Sequence, residues 1–216
     1  FGMPVLEAMA CGAPVLTSMQ RTLLVFVLFV LWTSGAHAQS LELPAMIRCK
    51  AEGEHASSRS KIIEVWLARA ERQDGLAAFC LAYVQSDKIH VPLGWLEQSA
   101  RLNLPDAQLL MGTNYEVGLL FKQDFVEALS WYRKAANQDF PYAQYELAAI
   151  YYEGRAGQKK NLKEAYFWAL LAHRHHFLDA NALIQTLEPK LPDKDKHLVQ
   201  SKVDQWVQHH KPGRMG

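Results

Sequence analysis

The chain has 216 residues, half of them apolar, and its 23 Lys and Arg against 22 Asp and Glu leave a formal net charge of +1. That composition supports a sizeable buried core and excludes a disordered polyelectrolyte, and the near-neutral balance speaks against a nucleic acid partner. Three cysteines, Cys11, Cys49 and Cys80, are too few and too widely spaced for a zinc ribbon or a dense disulfide framework.

The run from Phe1 to Val15 carries Gly2, Pro4, Glu7, Gly12 and Pro14 in an order that resembles the donor-binding motif of two-domain, retaining glycosyltransferases, a glycine-rich turn before a helix. In that family the glutamate matching Glu7 contacts the ribose of the nucleotide sugar and the backbone near Gly2 approaches the donor sugar, so the resemblance implies glycosyl transfer as an alternative activity. The partner glutamate of the family's paired motif would fall before Phe1, and nothing later in the chain reads as a nucleotide-binding domain. Residues 1–18 are therefore expected to be a joined fragment, with Met19 as the functional start.

Residues 19–38 read as a secretory signal: Arg21 supplies the charge, Leu23 to Trp32 is an unbroken apolar run, and Ala36, His37 and Ala38 give a small-x-small cleavage pattern. Ten apolar residues are well short of the roughly 20 that cross a bilayer. Cutting leaves Gln39 first, no stable membrane span, and a periplasmic or secreted product. In an oxidising compartment Cys49 and Cys80 are candidates for a disulfide, and the sequence leaves open whether they pair.

Residues 39–60, with Pro44 and the pair Ser57 and Ser58, read as an irregular lead-in. Helical periodicity opens next, with Ile62, Ile63, Trp66, Leu67 and Ala70 on one face. The strongest signal then follows as a repeat. Ala107, Tyr115 and Gly118 recur 36 residues on as Ala143, Tyr151 and Gly154, and Ala128, Trp131 and Ala135 recur 37 on as Ala165, Trp168 and Ala172. A period of this length marks an α-solenoid, whose units are too small to bury their own apolar faces and must stack. A divergent unit over 75–106 keeps Trp95 and Ala100, full units fill 107–142 and 143–179, and a partial one covers 180–191. A final helix from Pro192, with Val199, Val203, Trp206 and His210 on one stripe, suits a terminal cap followed by a tail to residue 216.

The small, aromatic and glycine positions of 75–180 together resemble the Sel-1-like repeat, a relative of the tetratricopeptide repeat. This implies an all-α, right-handed solenoid of helical hairpins. Gly118 and Gly154 are expected to end first helices, Pro105 and Pro141 to open them, and Asp124 with Glu127 and Asn161 with Glu164 to form capping boxes on second helices. Those carboxylates are thus caps and not catalysts.

Tyr142, Tyr145, Ala149 and Tyr152 share one helix face, and Asp106, Leu109, Thr113 and Glu116 are their counterparts one repeat earlier. By resemblance to tetratricopeptide arrays this face lines a groove for a protein or peptide segment; packing on the next repeat is the other reading of the tyrosines. The expected groove is Leu109, Thr113, Glu116, Tyr142, Tyr145 and Tyr152. His173, His175 and His176, with His209 and His210, give the alternative of a metal-binding envelope protein, but no pair has zinc-helix spacing to an acid. Gly154 to Gly157 with Lys159 and Lys160 lacks the lysine and hydroxyl placement of a phosphate loop and reads as a solvated turn. No hydrolase elbow or zincin motif is legible. The reading is a non-enzymatic, cofactor-free, exported scaffold that binds a protein or peptide of the cell envelope.

Overall fold

A computed structural model describes residues 43–56, 58–85 and 93–210. The glycosyltransferase-like run at 1–15 and the signal at 19–38 lie outside the described residues. Within the described residues the secondary structure is helical throughout. It comprises α1 (Pro44–Glu54), α2 (Arg59–Glu71), α3 (Gly75–Gln85), α4 (Leu93–Arg101), α5 (Pro105–Val117), α6 (Phe125–Ala136), α7 (Pro141–Glu153), α8 (Leu162–His173), α9 (Leu178–Leu187), a 3-10 turn (Glu188–Lys190) and α10 (Asp193–His209).

The helices of the two full repeats begin for local reasons, and their first helices also end for one. Pro105 and Pro141 open α5 and α7, where the missing amide donor has no intrahelical partner to lose. Gly118 and Gly154 close the same helices at φ of 75° and 76°, a left-handed turn that glycine enters without a Cβ penalty. The Asp124 carboxylate accepts from the amides of Val126 and Glu127 at 2.9 and 3.1 Å, and the Asn161 side chain accepts from Lys163 and Glu164 at 3.2 Å each. Only half of the expected capping box forms. The cap amides of Asp124 and Asn161 instead donate to Tyr115 and Tyr151 carbonyls at 2.9 and 2.8 Å, so each second helix is tied back to the end of its first helix.

Consecutive helices pack in an unbroken chain, α3 on α4, α4 on α5 and onward to α9. This makes α5 and α7 buried on more than one side. Ala107 and Met111 of α5 belong to an N-terminal core with Trp66, Phe79 and Leu96, while Leu109 of the same helix joins a C-terminal core with Leu129, Tyr132 and Leu147. A helix between two cores cannot show a single apolar stripe, which is why the repeat signature was clearer than amphipathicity here.

Two expected boundaries change. Residues 44–54 of the lead-in form a helix, α1, which packs mainly on α3. Its sequence is poorly amphipathic, and it is held by tertiary contacts: Ala45 and Cys49 are buried, Cys49 is joined to Cys80 of α3 with Cα atoms 5.3 Å apart, and the Ala45 amide donates to Asp106 of α5 at 2.9 Å. The full hairpins begin at their prolines, two residues before the expected starts at 107 and 143. At the far end α10 packs on α8 through Val199 and Val203, and α9 fills the position of a further first helix.

Candidate functional site

The residues expected to line a groove separate into three environments. Leu109, 4% exposed, is core, and the expectation that it faces a partner is overturned by its burial against the next hairpin. Its neighbours on that face are committed to internal bonds. The Thr113 hydroxyl donates to the Leu109 carbonyl at 3.1 Å, and the Tyr132 hydroxyl lies 3.2 Å from Thr113 Oγ1 and donates to Glu116 at 2.8 Å. Burial and the Glu116 carboxylate together hold the Tyr132 phenol well above its usual range. Glu116 also pairs with Arg155 of the following hairpin, which reaches Glu146 at 2.6 Å and Glu153 at 2.9 Å. Asp106, the counterpart of Tyr142, is 1% exposed and serves α1 as described.

Tyr142 and Tyr145 converge on Phe177 with ring centroids 5.1 and 5.2 Å away, and Tyr142 also meets Phe140 at 5.2 Å. These tyrosines bridge to the start of α9, and burial, with the Asp179 and Glu146 charges behind it, raises the Tyr145 phenol to about 12. Tyr152 is in a third environment. Lys190 Nζ donates to its hydroxyl at 3.0 Å, and Lys160 and Lys190 lie 4.8 and 5.0 Å from its ring centroid. The Lys190 bond and the nearby cations lower its pKa.

Beside that ring is an open cleft of about 640 Å³ between the α7–α8 turn and the start of α10, lined by Tyr151, Lys159, Lys160, Lys163, Lys190 and Asp195 among others. A neighbouring cleft of about 670 Å³ sits one repeat earlier, lined by Glu97, Arg101, Tyr115, Phe121, Lys122 and Glu127 among others. The corresponding places in two consecutive repeats therefore differ in charge, mixed in the earlier and cationic in the later.

The histidines take structural positions. His175 Nε2 lies 2.9 Å from Asp139, His176 adopts the left-handed φ of 57° that ends its hairpin, and His210 stacks on Trp206 with centroids 3.9 Å apart. Among the described residues no three metal-capable side chains are brought together, and no helix is long and apolar enough to cross a membrane.

Sequence reasoning missed Gln108 and Gln144, although they too recur at 36 residues. Gln108 Nε2 donates to the Ala100 carbonyl and Asn103 at 3.1 and 3.0 Å, and Gln144 Nε2 to the Ala136 carbonyl and Asp139 at 3.3 and 3.0 Å. Each buried amide thus clasps the left-handed turn that ends the preceding hairpin. Such a role is invisible in a polar residue read alone.

Stacked helical hairpins with glycine-closed first helices, capped second helices and buried interhelical clasps define a tetratricopeptide-like α-solenoid. More narrowly, residues 105–140 and 141–172 each match the Sel1 repeat, so this part of the chain is a pair of Sel1-like repeats. Sel1 repeat proteins generally mediate protein–protein interaction. Among solved structures it is similar to a protective antigen present in uropathogenic Escherichia coli strains that displays an SLR fold, at 23% identity and a TM-score of 0.65, covering 76% of this chain and 37% of that one. It is also similar to a Sel1 repeat protein from Oxalobacter formigenes, at 27% identity and a TM-score of 0.52, covering 57% of this chain and 96% of that one. The chain thus spans little more than a third of the first of these neighbours. No curated protein matches it.

Proposed function

We propose that this protein is an exported, non-enzymatic scaffold that binds a protein of the bacterial cell envelope through its solenoid. The observation that carries the binding role is the surface where first-helix Tyr152, the α7–α8 turn and the 3-10 turn present an aromatic ring and several lysines to solvent, while Asp124 is used as a helix cap and Glu116 as an interhelical pair. Export is supported by the leader-like run at 19–38 and by the Cys49–Cys80 pair, a linkage suited to an oxidising compartment. The groove narrows in this reading from six residues to Tyr152 and its cationic neighbours, because Leu109, Thr113, Glu116, Tyr142 and Tyr145 serve the stack.

Two measurements test it. N-terminal sequencing of the exported product is expected to begin at Gln39, and product retained in the cytoplasm overturns the envelope assignment. Capture from envelope extracts is expected to recover a discrete partner with the wild-type chain and to weaken with Tyr152→Ala, while Tyr145→Ala lowers stability instead. Equal capture by a folded Tyr152→Ala variant would move the binding face elsewhere.

A further inference from the structure

Lys160 and Lys190 come from different elements, yet both approach the Tyr152 ring, Lys190 with a hydrogen bond to the hydroxyl as well. Two ammonium groups gathered on one ring repel each other, and the attraction of the ring for each only partly offsets this. Lys159 adds an exposed third cation on the same turn. Among the described residues, the carboxylates nearby are held by other groups: Asp195 pairs with Lys163 at 2.8 Å, Glu153 with Arg155 at 2.9 Å, and Glu188, two residues before Lys190, accepts from the Tyr166 hydroxyl at 3.5 Å. No described acid forms an ion pair with Lys159, Lys160 or Lys190. The cleft is therefore a concentrated positive site on a chain whose net charge is only +1.

Its chemistry selects among anions. The first amides of α8, which would otherwise hold a phosphate, are occupied by the Asn161 side chain through Lys163 and Glu164. No arginine fork lines it, since Arg155 is bound to three glutamates. Between the lysines the walls are Tyr151, Leu162, Leu191 and Pro192, a partly apolar surface suited to the backbone and stems of an extended chain.

We propose that this cleft receives an acidic peptide segment of the partner protein, with its carboxylates on Lys160 and Lys190 and its backbone along Tyr151 and Leu162. The proposal rests on the reading of the solenoid as a protein-binding scaffold and supplies the chemistry of the partner.

The test is fluorescence anisotropy of the full chain with a labelled Asp/Glu-rich peptide, against a Lys/Arg-rich peptide of the same length. The acidic peptide is expected to bind, less tightly as salt rises. The Lys160→Gln, Lys190→Gln double variant is expected to weaken it about tenfold, the combined effect of two exposed charge pairs. Lys122→Gln in the neighbouring cleft should leave it unchanged. A thermal melt establishes that each variant is folded, and Lys159→Gln with Lys160→Gln is the substitute pair if the first double variant does not fold. Unchanged affinity in the folded double variant overturns the proposal, as does equal binding of the basic peptide, full displacement by inorganic phosphate, or tighter binding of a single-stranded oligonucleotide. Envelope-protein capture that persists in the double variant would sink this cleft while leaving the scaffold function standing.

Discussion

A Cβ placed at Gly112 would stand 2.6 Å from the Tyr132 ring, inside any real contact, so this glycine is required by packing and not by backbone conformation. One repeat later the two positions are Ala148 and Ala169, so that the large ring and the missing methyl are exchanged together for two small side chains. Gly112→Ala is expected to destabilise the fold by about 1–3 kcal/mol through overpacking, read from a denaturant midpoint. Combined with Tyr132→Ala it should lose less than the sum of the single losses, because the clash disappears with the ring; strict additivity would contradict the contact. Asp106 gives a residue-scale prediction of the opposite sign. Burial raises its pKa, with the Ala45 amide and the Arg48 charge opposing more weakly. A carboxyl raised in the folded state contributes stability that is complete below its unfolded pKa and is lost as pH climbs through the folded value. Asp106→Asn keeps an acceptor for the Ala45 amide without the buried charge, so it should match or exceed wild-type stability at pH 7 and remove the decline that begins near the ordinary aspartate range. Asp106→Leu, which strands that amide, should be destabilising at every pH.

At the scale of helices, the caps distinguish what a motif promises from what it forms. Asp124→Ala is expected to cost about 0.5–2 kcal/mol, since two amides lose their acceptor, whereas Glu127→Ala should change little because the cap amide is bound by the Tyr115 carbonyl. A large Glu127→Ala effect in thermal unfolding would restore the full capping box. Much of this level was legible in the sequence: Pro105 and Pro141, Gly118 and Gly154, and the caps are local devices, and local devices leave local signatures. Helix α1 was not legible, because Ala45 and Cys49 are its only buried residues and its hold comes from residues outside it in sequence: Asp106, Cys80, and Trp66 and Arg69, which both donate to Glu52. The groove was half legible for the same reason. A stripe of tyrosines shows a face, but only folding reveals that Phe177 covers Tyr142 and Tyr145 while Lys160 and Lys190 gather at Tyr152. Replacing Cys49 and Cys80 together by serine should lower stability by about 2–4 kcal/mol and speed amide exchange first in α1, where the linkage replaces an amphipathic face. Uniform acceleration across all helices would mean that α1 is secured by packing alone.

For the molecule as a whole, stability in a stack depends on what each hairpin exchanges with the next, and Arg155 is the most concentrated such exchange in the described residues. Its guanidinium joins Glu116 of one repeat to Glu146 and Glu153 of the following one, and Tyr132 adds a hydrogen bond to the same Glu116. Without the arginine, Glu116 and Glu146 would face each other as like charges in a partly buried place. Burial already raises the pKa of Glu146 against the pull of Arg155, so removing that pull drives it further up. Arg155→Ala should therefore destabilise the fold by about 1–3 kcal/mol at pH 7, less than for a fully buried pair because the arginine side chain keeps 33% exposure. As pH falls through the glutamate range Glu146 takes up a proton more readily in the folded variant than in its unfolded chain, so the deficit relative to wild type should shrink. Denaturant curves at neutral pH and near pH 4 measure both effects. A deficit that stays constant across that range would assign Arg155 a packing role through its aliphatic stem, and the charge exchange between repeats would have to be abandoned.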